Sequence, residues 1–228
     1  MRNDIAYLVI DMQQEDGFHL QGFEAVIDNC AKLIDAARAA SIPVIFTRHI
    51  NNADASDLPP GEPLDALGRP ASYCAGTRQV EILPRLAPQP GDPVIDKPRY
   101  SAFHRTELDA QLKRLGISRL MVSGVLTDAC VLSTVLDAFA LGYRVDLIAD
   151  ACTSTTSAAH YSALLIMANW VYSIELFNCE QFLRALHGDD FSSCKPASPD
   201  LFAHRPDTLP QAIARLQSSL QPSLQPQE

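Results

Sequence analysis

Short apolar runs alternate with longer segments whose apolar positions recur at helical spacing. "IAYLVI" (5–10) is a continuous apolar run of strand length. "FEAVIDNCAKLIDAARAA" (23–40) repeats its apolar residues at three- and four-residue steps, the period of one helix face. The alternation continues with strands at 42–49, 92–97, 118–124, 143–150 and 171–176, and helices at 106–116, 127–142 and 157–170. Thr106 and Thr127 stand where N-caps belong, with Asp128 beside the second, and Gly116 and Gly142 where helices stop. Strands alternating with helices predict parallel βαβ units with right-handed crossovers. The fold class is therefore α/β, a three-layer α-β-α sandwich on a central, mostly parallel six-stranded sheet.

Two stretches break the rhythm. Residues 50–92 are polar and rich in Pro, Gly and Asp, longer than a compact domain tolerates without a task. Residues 189–228 are Ser/Pro-rich with one amphipathic pattern at 209–220. We read a main domain over 1–188 and a C-terminal extension over 189–228 carrying one short helix, docked on the body or on a neighbouring subunit.

Composition narrows the class. With 47% hydrophobic residues the chain of 228 can bury a sizeable core. A net charge of −9 without Lys/Arg runs argues against a nucleic-acid partner. No segment approaches the roughly 18 apolar residues of a membrane span. Six cysteines without CxxC spacing form neither a zinc signature nor a disulfide framework, and together with an N-terminus that reads as a strand they point to reduced thiols in the cytoplasm.

In open α/β sheets, ligands bind beyond the carboxyl ends of the strands. Asp11 ends the first strand, Lys97 the third, and "GVLTDACV" (124–131) carries Cys130 from the fourth strand into a helix. Singly these are commonplace: a strand-end Asp is usually a turn residue, a Lys solvated, a Cys core packing. Together they put an acid, an ammonium and a nucleophile on one rim, as acyl transfer requires. A thiol at a helix start near Lys97 is predicted to ionise readily.

The order "LVIDMQ", "DKPRYSAF", "GVLTDACV", "DAF" resembles the isochorismatase-like cysteine hydrolases, over roughly residues 5 to 185. The resemblance implies a catalytic set of Asp11, Lys97 and Cys130. It also implies a cis peptide at Val125–Leu126 and an oxyanion hole from the amides of Leu126 and Cys130. The implied activity is hydrolysis of a small carboxamide or ureide C–N bond through a thioester, and the implied assembly a homo-oligomer, dimer or tetramer. Isochorismatases proper have a small residue at the nucleophile position, so Cys130 favours amide over vinyl-ether cleavage. Nicotinamidases carry an Asp-x-His and further His after strand 2 that bind metal. Here "TRHINNADASD" leaves His49 without that set, so no metal and no cofactor are expected. Gln13, Phe18, Arg99, Tyr100 and Tyr73 are candidates for substrate binding, Gln13 also for orienting Asp11 or the backbone. Phe18 is displaced relative to the family pattern. Cys74, Cys152 and Trp170 are read as packing residues. The rival functions are an isochorismatase-type hydrolase of another small molecule, a catalytically silent interaction protein on the same fold, and a redox-active thiol protein.

Overall fold

The computed structural model describes residues 4–15, 17–198 and 200–221. Six parallel strands form one sheet: β1 (Ile5–Ile10), β2 (Val44–His49), β3 (Val94–Lys97), β4 (Arg119–Val125), β5 (Arg144–Thr153) and β6 (Ile174–Phe177), in the order β3-β2-β1-β4-β5-β6. The helices are α1 (Phe23–Ala39), α2 (Leu108–Arg114), α3 (Leu132–Ala140), α4 (Ser157–Trp170), α5 (Cys179–His187) and α6 (Leu209–Ser219).

The continuous apolar runs are explained by burial on both faces of the sheet. Along β1, Ala6, Leu8 and Ile10 point into a core closed by α2, α3, α4 and α6. Ile5, Tyr7 and Val9 point the other way, under α1 and α5. This is the period-two alternation of a strand with no wet side.

Chain order along the sheet reverses between β1 and β4, which leaves a crevice at their carboxyl ends. At the lip of that crevice Ile10 pairs with Gly124. A Cβ on Gly124 would lie 2.0 Å from the Ile10 carbonyl oxygen, and its φ is +120°, so only glycine fits. Immediately beyond, the Val125–Leu126 peptide is cis.

Two elements differ from the sequence expectation. The helix expected at 127–142 opens instead with a π-helical turn, Thr127–Val131, before α3 proper. Thr127 makes no cap there: its hydroxyl bonds His160 Nδ1 on α4 (2.8 Å), and Asp128 accepts from Ser154 Oγ (2.5 Å). The second difference is α5, which the pattern did not predict. It is capped by Asn178, whose side chain accepts from Gln181 N, and ends at Gly188 with φ +86°. Helix α6 takes the first of the two seats expected for it, on the body: Leu216 is fully buried in the core beside α4, and Asn178 Nδ2 donates to Leu220 O (2.7 Å). Residues 222–228 of the extension lie outside the described residues.

The 50–92 stretch holds two short 3-10 turns, Arg78–Val80 and Pro84–Leu86. It is stitched to the sheet by isolated bridges Gln13↔Ile82 and Asn51↔Cys74. Its length is thus used to build a wall over the carboxyl ends of β1 and β2.

Candidate active site

The switch-point crevice gathers side chains from four strands. Asp11 leaves β1 with φ +49°, a left-handed conformation that a short polar side chain tolerates. Thr47 on β2 fixes it from two directions: the Thr47 hydroxyl donates to Asp11 Oδ1 (2.5 Å) and accepts from the Asp11 N–H (3.1 Å). Lys97 comes from β3, one strand beyond β2, and its long side chain reaches back over the sheet. Its Nζ lies 2.6 Å from Asp11 Oδ2, with both side chains essentially without solvent contact (0% and 1% exposed).

Despite that short distance, Asp11 Oδ2 has no well-aligned hydrogen bond. The contact is an ion pair, and Lys97 Nζ also donates to Arg99 O (3.1 Å), Cys130 Sγ (3.3 Å) and His49 Nδ1 (3.4 Å).

Cys130 sits in the π-helical turn, 8% exposed. The Leu126 carbonyl accepts from the N–H groups of Ala129 and Val131, both at 3.1 Å, and so passes over Cys130. Burial pushes the Cys130 thiol up, Asp11 adds in the same direction, and Lys97 pulls against both; the net shift is upward. This corrects the expectation of a readily formed thiolate. The Lys97 charge is already balanced by Asp11, so little of it is left for the sulfur. Burial pulls the Lys97 ammonium down, but Asp11 and Cys130 outweigh it, and its pKa is raised. The resting arrangement is a neutral thiol beside a carboxylate–ammonium pair.

His49 is no bland surface residue. It is buried, and the pairing of β2 with β3 sets it opposite Lys97. Asn51 Nδ2 donates to Ser72 O (3.1 Å), which turns Asn51 Oδ1 toward His49 Nε2 (3.3 Å). That network assigns the imidazole proton to Nε2 and leaves Nδ1 to accept from Lys97. Burial and the Lys97 charge hold its pKa down to about 4, so the ring is neutral at working pH.

Asp11, His49 and Cys130 offer three donor atoms within 4.8 Å of one another, a set that by type alone suits a transition metal. The Lys97 ammonium occupies their midst, paired with the first and donating to the other two. The donors present therefore fit the ammonium rather than a divalent ion.

The aromatic candidates converge. Phe18 stacks on Tyr73 (6.0 Å between centroids), and His49 lies 5.0 Å from Tyr73 and 6.3 Å from Tyr100. Burial, then Asp11 and Cys130, raise the Tyr73 phenol, which places it against the crevice as a neutral group. Two polar candidates are otherwise engaged. Gln13 accepts from His49 N (2.8 Å) and donates to His49 O (3.0 Å) and Val80 O (3.2 Å), so its amide clamps backbone and has no donor left for a substrate. The Arg99 guanidinium donates to Pro98 O and to Asp57 O (2.7 Å), anchoring the long loop. A cavity of about 410 Å³ opens beside His49, Arg99 and Tyr100.

Sequence reasoning missed Thr47, Asn51, His160 and the role of His49. Strand register reveals Thr47, whereas Asn51 enters from the loop after β2 and His160 from α4. The one available signal was that His49 and Lys97 both end neighbouring strands.

A doubly wound parallel sheet with an acid, an ammonium and a thiol at its switch point makes a site equipped for acyl transfer. The sequence matches the Isochorismatase domain over residues 6–175. It is 34% identical over 200 residues to the ureidoacrylate amidohydrolase RutB of Variovorax paradoxus, covering 77% of this chain and 76% of that protein. It is 31% identical over 194 residues to Nicotinamidase 3 of Arabidopsis thaliana, covering 81% and 89%. Among solved structures, a cysteine hydrolase from Pseudomonas syringae pv. phaseolicola superposes with a TM-score of 0.72 at 25% identity, covering 82% of this chain and 93% of the other. The chain belongs to the isochorismatase family of hydrolases.

The raised thiol pKa has a direct consequence. Below that pKa the thiolate fraction falls tenfold per pH unit, and the thiolate is the species that alkylates. The rate of Cys130 alkylation by iodoacetamide should therefore climb steadily from pH 6 through pH 9 without levelling. Peptide mapping at each pH measures it; a rate flat between pH 6 and 8 would mean a preformed thiolate.

Proposed function

We propose that this protein is a cysteine-dependent hydrolase of a small carboxamide or ureide, acting without a metal through a thioester on Cys130. The convergence of Asp11, Lys97 and Cys130 within one buried crevice carries this reading. Kinship with a ureidoacrylate amidohydrolase and a nicotinamidase supports a C–N bond as the target.

The roles follow from the resting protonation states. The neutral thiol needs a base, and the Asp11 carboxylate brings an oxygen within 4.8 Å of its sulfur. As Sγ attacks the carbonyl carbon, its proton passes to Asp11, and the carbonyl electrons go to oxygen. The N–H groups of Leu126 and Cys130 receive that oxyanion. Asp11 then returns the proton to the departing nitrogen as the C–N bond breaks, and ammonia or an amine leaves. Water attacks the thioester, Asp11 takes its proton, and the acid departs as the thiol is restored. Lys97 stays charged throughout. It stabilises the sulfur as charge develops there and stays paired with Asp11 at 2.6 Å. His49 takes one Lys97 N–H, leaving the others for Cys130 and the Arg99 carbonyl. Reduced, buried cysteines suit the cytoplasm as the working compartment.

Since the three groups act as one unit, their removal is not additive. Cys130→Ala, Asp11→Asn and Lys97→Ala should each lower kcat on a responsive amide by about a thousand-fold or more. Steady-state ammonia release from folded variants checks this; near-normal kcat in any one would remove that residue from the mechanism.

We also propose self-association through the α3/α4 side. Leu136, Leu141, Ile166, Trp170 and Tyr172 leave apolar surface exposed there, and Tyr172 edges against Phe139 of α3. Light scattering should give a dimer or larger species that Trp170→Glu shifts toward monomer. A monomeric wild-type chain at micromolar concentration would end this proposal.

A further inference from the structure

The cavity beside the crevice carries a charge pattern of its own. Its near wall is His49, whose Nδ1 accepts a hydrogen bond from the Lys97 ammonium, so one side chain separates the cavity from the reacting groups. A second wall comes from the nucleophile helix. Ser133, near the start of α3, and Asp137, one turn further, line it; Cys130 precedes them in the π-helical turn. The loop side supplies Glu62, and the exposed ring of Tyr100 forms the floor.

Among the described residues, neither Glu62 nor Asp137 is in an ion pair. The cation lining the cavity, Arg99, has its guanidinium committed to two backbone carbonyls, where it serves the loop. His49 is neutral. The cavity therefore offers two unpaired carboxylates and an aromatic face, the combination that attracts a cation. It provides no free guanidinium or ammonium to grip a carboxylate. Its volume of about 410 Å³ suits a small molecule.

Resting on the amide-hydrolase reading above, we infer that the substrate is a small amide or ureide bearing a cationic group, with its carbonyl at Cys130 and its cation between Glu62, Asp137 and Tyr100. The reaction remains the addition of water across the C–N bond, giving an acid and ammonia or an amine. The cation stays unchanged and serves as the handle. A carboxylate-bearing substrate such as ureidoacrylate would meet like charge at the same place.

A matched series of primary amides on a four-methylene chain isolates the handle: 5-aminopentanamide, hexanamide and the monoamide of adipic acid. Wild-type kcat/KM should fall in that order, by about tenfold at each step. In the Glu62→Gln/Asp137→Asn double variant, checked for fold by thermal melting, the ratio of first to last should shrink to within about threefold. A carboxylate member turned over as well as the ammonium member, or an unchanged ratio in the double variant, would overturn the inference. Turnover of any member supports the amide-hydrolase reading whatever the order. If none turns over, calorimetric titration of the Cys130→Ala protein with the first and last compounds decides the charge preference by itself. Tighter binding of 5-aminopentanamide supports a cationic handle, and equal or reversed affinities refute it.

Discussion

The site depends on a single buried ion pair, Lys97 with Asp11. Two charges withdrawn from water are tolerated only when they compensate one another and their remaining polar groups are satisfied. The surrounding structure meets both conditions. Thr47 holds one Asp11 oxygen, and Cys130, His49 and the Arg99 carbonyl take up the Lys97 protons. The pair also explains the state of the thiol. With the ammonium neutralised at 2.6 Å, burial governs Cys130, and the thiol rests protonated beside the pair.

The sheet makes this pair possible. Asp11 and the Cys130 turn descend from β1 and β4, the two strands between which the order reverses, while Lys97 must cross from β3. Gly124 lets β4 approach Ile10 closely at the point where the chain turns toward the nucleophile. Gln13 locks the end of β2 to the exit of β1, so Thr47, His49 and Asp11 share one rigid frame.

Much of this was legible in the sequence. Strands buried on both faces, β1 above all, print as unbroken apolar runs, and strand ends deliver Asp11, Lys97 and the turn to Cys130. The illegible parts are those set by register or by competition among hydrogen bonds. Helix α5 was missed although Cys179, Phe182 and Ala185 recur at helical spacing between the Asn178 cap and the Gly188 stop; nine residues are too few for periodicity to stand out beside the strand that precedes them. Thr127 has the chemistry of a cap but faces His160, which gives its hydroxyl a buried partner. Arg99 and Gln13 look like substrate groups until the loop carbonyls they bind are in view. His49 gains its role from standing beside Lys97 across the β2–β3 pair, 48 residues apart along the chain.

The central claim is that catalysis passes through a thioester on Cys130. Acid-quenching the enzyme during steady-state turnover of a slowly hydrolysed amide, followed by mass spectrometry of its peptides, tests it most directly. The account predicts that the peptide containing Cys130 gains the mass of the acyl group less one hydrogen, and that the gain disappears when substrate is exhausted. Product accumulating while Cys130 remains unmodified in every quench, or an acyl mass on a different residue, would contradict it.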